Sequence, residues 1–346
     1  MTEEGNSTFS GAESGAKPVV RVVAMGGTIA SRGANSLVLT DYGEQSGNRP
    51  EGISELLRAV PEALHFARVS GLQLNSGGSS AITIPELLSL ARILMEELAK
   101  PEVAGVVVTH GTDTLEETAY FLSLVLPPGK PVVVTGAMRP ATGLSADGPL
   151  NLVNAIALAA SPEARDRGVM VCFDDEILPP LDATKTHTTS VETFRAPDTG
   201  PIGVTRDFSP VFFSDPPRYF PPRFSLGTLP DLPKVGIVYT AIGMGGEIVD
   251  LLVNAGCRGI VAAGMGHASL PPVVRNRLRA AAASGIPVVC ASRTGSGLVT
   301  PRTLLREAGF VPAYLHNPQK ARILLMLCLA TGLRDPVVVE DVFRKY

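Results

Sequence analysis

Three consecutive valines at 106–108 run straight into Thr109-His110-Gly111-Thr112-Asp113-Thr114, and an amphipathic pattern follows through residue 126. The valine run reads as a buried strand, and Leu115, Ala119 and Leu122 make the apolar stripe of a helix. A strand that stops where a helix starts, with hydroxyls and a carboxylate at the junction, narrows the choice of fold. In open α/β sheets such ends face the ligand crevice, and N–H groups at the helix start can hold developing negative charge.

The same pattern recurs. VVRVVAMGGT at 19–28, VAGVVVTHGT at 103–112 and PVVVTGAM at 131–138 are each β-branched runs ending in a tight turn, and helical patterns lie at 84–100 and 149–161. This alternation predicts an α/β protein with a mostly parallel sheet covered on both faces. From 205 to 233 the density of proline excludes a helix or a central strand and reads as a linker. A second series follows, with strands at 234–241, 259–266 and 286–292 and helices near 247–255, 271–284 and 318–331. The expected organisation is a leader at 1–17, a larger N-terminal catalytic α/β domain at 18–210, a Pro-rich linker at 211–233, and a smaller C-terminal α/β domain with a parallel sheet at 234–346.

Composition limits the partners. A formal net charge of -3 over 346 residues gives no basic field for nucleic acid or an anionic membrane surface, so a small neutral or zwitterionic ligand fits better. Cys172, Cys257, Cys290 and Cys328 are far apart and form no CxxC pair, which reads as buried thiols in a reducing compartment. The first 17 residues are acidic and polar, with neither a basic n-region nor an apolar h-region, and no span of membrane length follows. Together these features predict a cytoplasmic protein with a disordered leader and no membrane partner.

The junction at 109–114 has a plain alternative reading. Asp113 or Thr114 could simply cap the helix, since Glu116 and Glu117 stand at capping-box spacing. Against this, Thr112 follows a glycine at a strand end, a position suited to chemistry, and the first strand ends similarly in Gly26-Gly27-Thr28. Neither GxGxxG nor GxxxxGK[ST] spacing is present, so a nucleotide is disfavoured and hydroxyl nucleophile chemistry is favoured. A threonine hydroxyl needs a neighbouring base. Lys185, within the Thr-rich run 182–189, is the candidate general base, oriented by Asp113.

GGTIA at 26–30, THGTDTLEETAYFL at 109–122, GAMRP at 136–140, SADGPLNL at 145–152, TKTHTT at 184–189 and LHNPQKAR at 315–322 together resemble the bacterial-type L-asparaginases of the asparaginase/glutaminase family. The resemblance runs from about residue 19 to the C-terminus. It implies hydrolysis of L-asparagine to L-aspartate and ammonia, with neither metal nor organic cofactor. Thr28 matches the family's nucleophile, and Thr112, Asp113 and Lys185 match its second catalytic cluster. Tyr42 matches the mobile-loop tyrosine that activates the nucleophile. Gly78, Ser79 and Ser80 match the segment that grips the substrate α-carboxylate, Asp113 would also bind its α-ammonium, and the N–H groups of Thr112 and Ala137 would face the oxyanion.

The sequence departs from that pattern in three places. The loop after Thr28 is longer than in many relatives. Where several relatives place a glutamate reaching a neighbouring subunit's substrate, Arg302 and Thr303 stand here, with Glu307 further on. Ser80 and Ser269 replace a glutamine and an asparagine of some relatives, which bears on the choice between asparagine and glutamine. The resemblance also implies a homotetramer, a dimer of dimers, with each site shared between subunits; Gly245, Gly246 and the turn at 264–269 would face it. Two other functions compete: a catalytic subunit of a transfer-RNA-dependent amidotransferase, disfavoured by the slight negative charge and the lack of a further module, and a non-catalytic amino-acid-binding protein, which would have no use for two threonines, an aspartate and a lysine in matching motifs.

Overall fold

Strands made almost wholly of valine must be covered on both faces, and the helices between them provide that cover. The computed structural model describes residues 16–42, 50–214, 224–227, 229 and 231–346. In chain order, β1 (Val19–Ala24), α1 (Ile53–Arg58), β2 (Arg68–Gln73), α2 (Ile84–Ala99), β3 (Val103–Thr109), α3 (Leu115–Val125), β4 (Val132–Thr135), α4 (Gly148–Ala160) and β5 (Val169–Phe173) alternate strand with helix. The five strands pair in parallel in the order β2-β1-β3-β4-β5. β1 therefore has β2 on one side and β3 on the other, and the winding reverses between β1 and β3. Ligand crevices open at such a reversal, beyond the carboxyl ends of the strands.

The sheet grows to eight strands by antiparallel additions. β6 (Glu176–Leu178) pairs with β5, then the chain leaves to form a separate ribbon of β7 (Thr184–Lys185) and β8 (Phe194–Arg195), and it returns as β9 (Gly203–Arg206) and β10 (Ser209–Phe212). The second unit comprises β11 (Val235–Tyr239), α5 (Glu247–Asn254), β12 (Gly259–Gly264), α6 (Pro272–Ala283), β13 (Val288–Ser292), α7 (Thr303–Glu307), β14 (Val311–Pro312), α8 (Pro318–Ala330) and α9 (Pro336–Lys345). Its four strands are all parallel, in chain order. The fold is thus two α/β domains, a larger one with a mostly parallel sheet and a smaller all-parallel one, as the sequence predicts.

Apolar packing joins the two. Val20, Val22, Val107, Val133 and Ile156 form a core on one face of the large sheet, beneath α1 and α4. On the other face Leu94, Leu122 and Val108 belong to a cluster that continues through Ala321 and Leu325 of α8 to Val261 of the small sheet. α8 consequently has few polar faces: Ile323 through Leu329 are all buried. Among the described residues, no helix is long and apolar enough to cross a membrane.

Two stretches differ from the sequence reading. Residues 205–212, assigned to a linker for their proline, include the end of β9 and all of β10. Pro210 is accommodated because β10 is the last strand of the sheet, where a missing N–H leaves no neighbour unpaired. α9 was not anticipated, because the sequence reading assigns no element beyond 331. It starts because Asp335 accepts hydrogen bonds from the N–H groups of Val337 and Val338 and Pro336 occupies the first turn. The leader through residue 15 and the proline run at 215–223, with residues 228 and 230, lie outside the described residues.

Candidate active site

Three loops meet above the reversal point, and glycines allow them to touch. Gly26 and Gly27 adopt φ of 80° and 89°, a region that side chains rarely enter. A Cβ on Gly26 would lie 2.4 Å from the Gly77 carbonyl oxygen, and one on Gly27 would lie 2.2 Å from Gly111 Cα. The loop after β1 is thereby pressed against both the loop at 76–79 and the loop after β3. Hydrogen bonds fix this contact: Gly27 N–H donates to Gly77 O at 3.1 Å and Met25 N–H to Thr109 O at 2.9 Å.

These loops wall a cavity of ≈ 730 Å³. Thr28 and Tyr42 stand on one side, with 2.9 Å between Thr28 Oγ1 and the Tyr42 hydroxyl. Burial raises the Tyr42 pKa; the Thr28 hydrogen bond opposes this, while the negative charges of Asp113 and Asp147 reinforce it, and the net shift is upward. The phenol is therefore protonated at neutral pH. It can relay a proton for Thr28 but is not a standing phenolate base.

Opposite stands the second cluster. Lys185 Nζ donates to Thr112 Oγ1 at 2.9 Å and to Asp113 Oδ1 at 2.8 Å. Neither Asp113 nor Thr114 caps α3 through its side chain: the N-cap residue Thr114 makes no such bond and donates its hydroxyl to Ser79 O at 2.9 Å. The capping reading of this junction fails, and the polar side chains serve the cavity and the loop beside it. His110, fully buried, secures the turn. Its Nδ1 lies 2.8 Å from Gly111 O, which can only accept, so Nδ1 carries the proton and Nε2 accepts from the Thr118 hydroxyl at 2.9 Å. Burial pushes its pKa down to about 4.

Thr28, Tyr42, Gly78, Ser79, Ser80, Thr112, Asp113 and Lys185, from five separate stretches of sequence, all line this cavity. Ser79 is buried, and among the described residues nothing hydrogen-bonds its Oγ. Ala137 is buried behind the wall, which its neighbours Met138 and Arg139 form. Ser269 is not in this cavity. It is exposed in the smaller domain, in a two-residue bridge with Met265. Two contributors went unread in the sequence. Asp147 accepts the N–H groups of Met138 and Arg139 at 2.8 and 2.9 Å and so shapes the wall beside Ala137. Glu116, read as a capping partner, accepts the backbone N–H of Lys185 at 2.7 Å. Asp147 lies within the SADGPLNL motif, which offered a signal; Glu116 had none beyond its place after TDTL.

A doubly wound sheet with threonines beyond both strand ends flanking its reversal, one beside a tyrosine and the other on a Lys–Asp pair, makes a ligand crevice of the kind enzymes use, lined by hydroxyls and one ion pair. Comparison with known proteins narrows the class. Residues 19–218 match the family model described as asparaginase, N-terminal, and residues 234–343 match that of the glutaminase/asparaginase C-terminal domain. The chain belongs to the asparaginase family. It is 40% identical to L-asparaginase 2 of Bacillus subtilis over 98% of this chain and 90% of that protein, and 40% identical to L-asparaginase 2 of Escherichia coli over 98% and 96%. The crystal structure of a probable cytoplasmic L-asparaginase from Campylobacter jejuni superposes with a TM-score of 0.90 at 38% identity, covering 95% of this chain and all of that one.

Proposed function

We propose that this protein is an L-asparagine amidohydrolase that forms an acyl-enzyme on Thr28. The observation that carries the reading is one cavity holding a Thr28–Tyr42 hydroxyl pair and, separately, a Lys185–Thr112–Asp113 cluster. Thr28 Oγ1 attacks the side-chain amide carbon as its proton leaves through the Tyr42 hydroxyl. The oxyanion is held by the N–H groups of Thr112 and Ala137, donors of a kind worth about 3 kcal/mol of barrier. The C–N bond breaks, ammonia departs with the added proton, and water attacks the Thr28 ester while the Asp113 carboxylate, ion-paired with Lys185 beside Thr112, takes its proton. Aspartate leaves and Thr28 regains its hydrogen.

Ser79 supports the substrate assignment, because an unpaired buried hydroxyl costs roughly 1–3 kcal/mol and a bound α-carboxylate would satisfy it. Gly78 and Ser80 border the same α-carboxylate position, and Asp113 pairs with the α-ammonium. Some glutaminase activity follows from the small side chains of Ser80 and Ser269. The neighbouring subunit supplies Ser269, in a homotetramer built as a dimer of dimers. We place the larger domain from 18 through the end of β10 at 212, two residues beyond the expected 210, and the smaller one at 234–346, and the protein in the cytoplasm, in keeping with four buried cysteines that form no disulfide.

The test is ammonia release from L-asparagine, L-glutamine and D-asparagine by the wild type and by Thr28→Ala and Thr112→Ala. Each variant should lose at least about 1,000-fold in turnover while folded, since each removes one part of a unit that works together. A folded variant with full activity, or an inert wild type, refutes the mechanism.

A further inference from the structure

Lys185 sits on a weak platform. β7 has two residues, pairs only with the two-residue β8, and lies outside the main sheet. Such a ribbon cannot by itself hold an ammonium within hydrogen-bond distance of both Thr112 and Asp113. The anchoring comes from elsewhere, and most of it from the other domain.

Lys320, in the first turn of α8, is fully buried. Its Nζ donates to Ala183 O at 2.6 Å and Leu181 O at 2.9 Å, with Thr184 Oγ1 at 3.4 Å, so all three acceptors lie in the segment that leads into Lys185. Glu116 closes the arrangement from α3. Its Oε2 takes the Lys185 N–H at 2.7 Å, and its Oε1 takes Gln319 Nε2 and, at 3.3 Å, Asn317 Nδ2 from the start of α8. A cation at a helix N-terminus opposes the helix dipole, and burial adds to the cost. A neutral side chain would fill the same space without either penalty, so the ammonium has a use that packing does not explain.

We propose that Lys320 is a positioning residue for Lys185: with Glu116 it forms a clamp across the domain boundary that fixes where the Lys185 ammonium meets Thr112 and Asp113. This rests on the role assigned to Lys185 above. The clamp is also sensitive to alkali. Burial pushes the Lys320 pKa down to about 8, while Glu116, Asp182 and Glu117 hold it up. The charged or titratable groups around it are Glu116 and Glu117 on α3, Asp182 before β7, and the neutral His316 before α8. Above that pH the clamp loses its charge and one donor, and turnover declines.

The experiment compares Lys320→Met, Glu116→Gln and Lys185→Met with the wild type, reading kcat and KM for asparagine from pH 6.5 to 9.5 alongside thermal melting. Misplacement of a reacting group by about an ångström can cost ~100-fold, so folded Lys320→Met should lose at least about tenfold in kcat with KM within about twofold. Its profile should also lack the wild-type decline near pH 8. Glu116→Gln keeps the shape but removes a charge that raises the Lys320 pKa, so the decline should move to lower pH. An active, folded Lys185→Met would refute the role of Lys185 itself. If Lys185→Met is inactive but folded Lys320→Met keeps wild-type kcat and profile, the clamp is refuted and the role of Lys185 stands. Should Lys320→Met not fold, Glu116→Gln decides: a decline moved to lower pH supports the clamp, and an unmoved one refutes it.

Discussion

At the residue scale, the pairing of Thr28 with Tyr42 makes the sharpest demand. The hydroxyls are 2.9 Å apart and burial keeps the phenol protonated, so in the proposed mechanism Tyr42 is the relay whose loss would leave Thr28 without a route for its proton. Tyr42→Phe should keep the ring packing and lower kcat by about 100-fold or more, within the range of general acid–base contributions, with a much smaller change in KM. Steady-state ammonia release checks it, and an unchanged kcat would mean that another group activates Thr28. Thr28, Thr112, Asp113 and Lys185 were legible in the sequence because each stands in a distinctive run next to glycine or threonine. Glu116 was not, because threonine followed by glutamate at this spacing looks the same whether the carboxylate caps its own helix or, as here, takes an N–H from 69 positions along the chain. Sequence spacing reports local geometry and is silent on partners brought in by the fold.

At the element scale, long periodic segments were readable to within a residue or two: 84–100 against Ile84–Ala99, 271–284 against Pro272–Ala283, and 318–331 against Pro318–Ala330. β6, β7 and β8 are only two or three residues long, too short to leave a periodic signal, and their pairing is decided by neighbours distant in sequence. Two buried histidines tie elements together. His110 links the end of β3 to α3 through Thr118. His316 holds Ala313 O through Nδ1 at 2.7 Å and accepts the Tyr120 hydroxyl at 2.6 Å, joining α3 to the segment before α8. Burial lowers both from 6.5 to about 4. Between those values the unfolded chain binds protons that the folded chain does not. Stability therefore falls as pH drops from about 6.5 to about 4, by roughly 3 kcal/mol for each histidine. His316→Phe should be less stable at pH 7 yet lose about half of the histidine share of this acid dependence, as urea unfolding at pH 7, 5 and 4 would reveal. An identical slope in the variant would show that His316 already carries its proton when folded.

At the scale of the whole molecule, the question is whether one chain makes a complete site. Every assigned residue of the larger domain lines or borders the cavity, whereas Ser269, exposed with Gly266 and His267 of its turn in the smaller domain, does not line it. If they act on substrate, they do so in the cavity of another copy. The smaller domain also presents apolar side chains to solvent, with Ile242 97% and Tyr239 60% exposed, on the loop beside Gly245 and Gly246 and at the end of the strand leading to it. Composition could not foretell this, because 45% hydrophobic residues is compatible with monomer and oligomer alike. Burying a side chain of this kind contributes roughly 1.5–3 kcal/mol, so a charge at position 242 should weaken every interface that uses it. Ile242→Asp is expected to shift the species seen by light scattering towards smaller assemblies and to reduce activity in step, with activity recovering as protein concentration rises. If the wild type is a fully active monomer, the shared site is wrong. If the variant dissociates and keeps full activity at all concentrations, each chain completes its own catalytic centre, and Ser269 has no part in it.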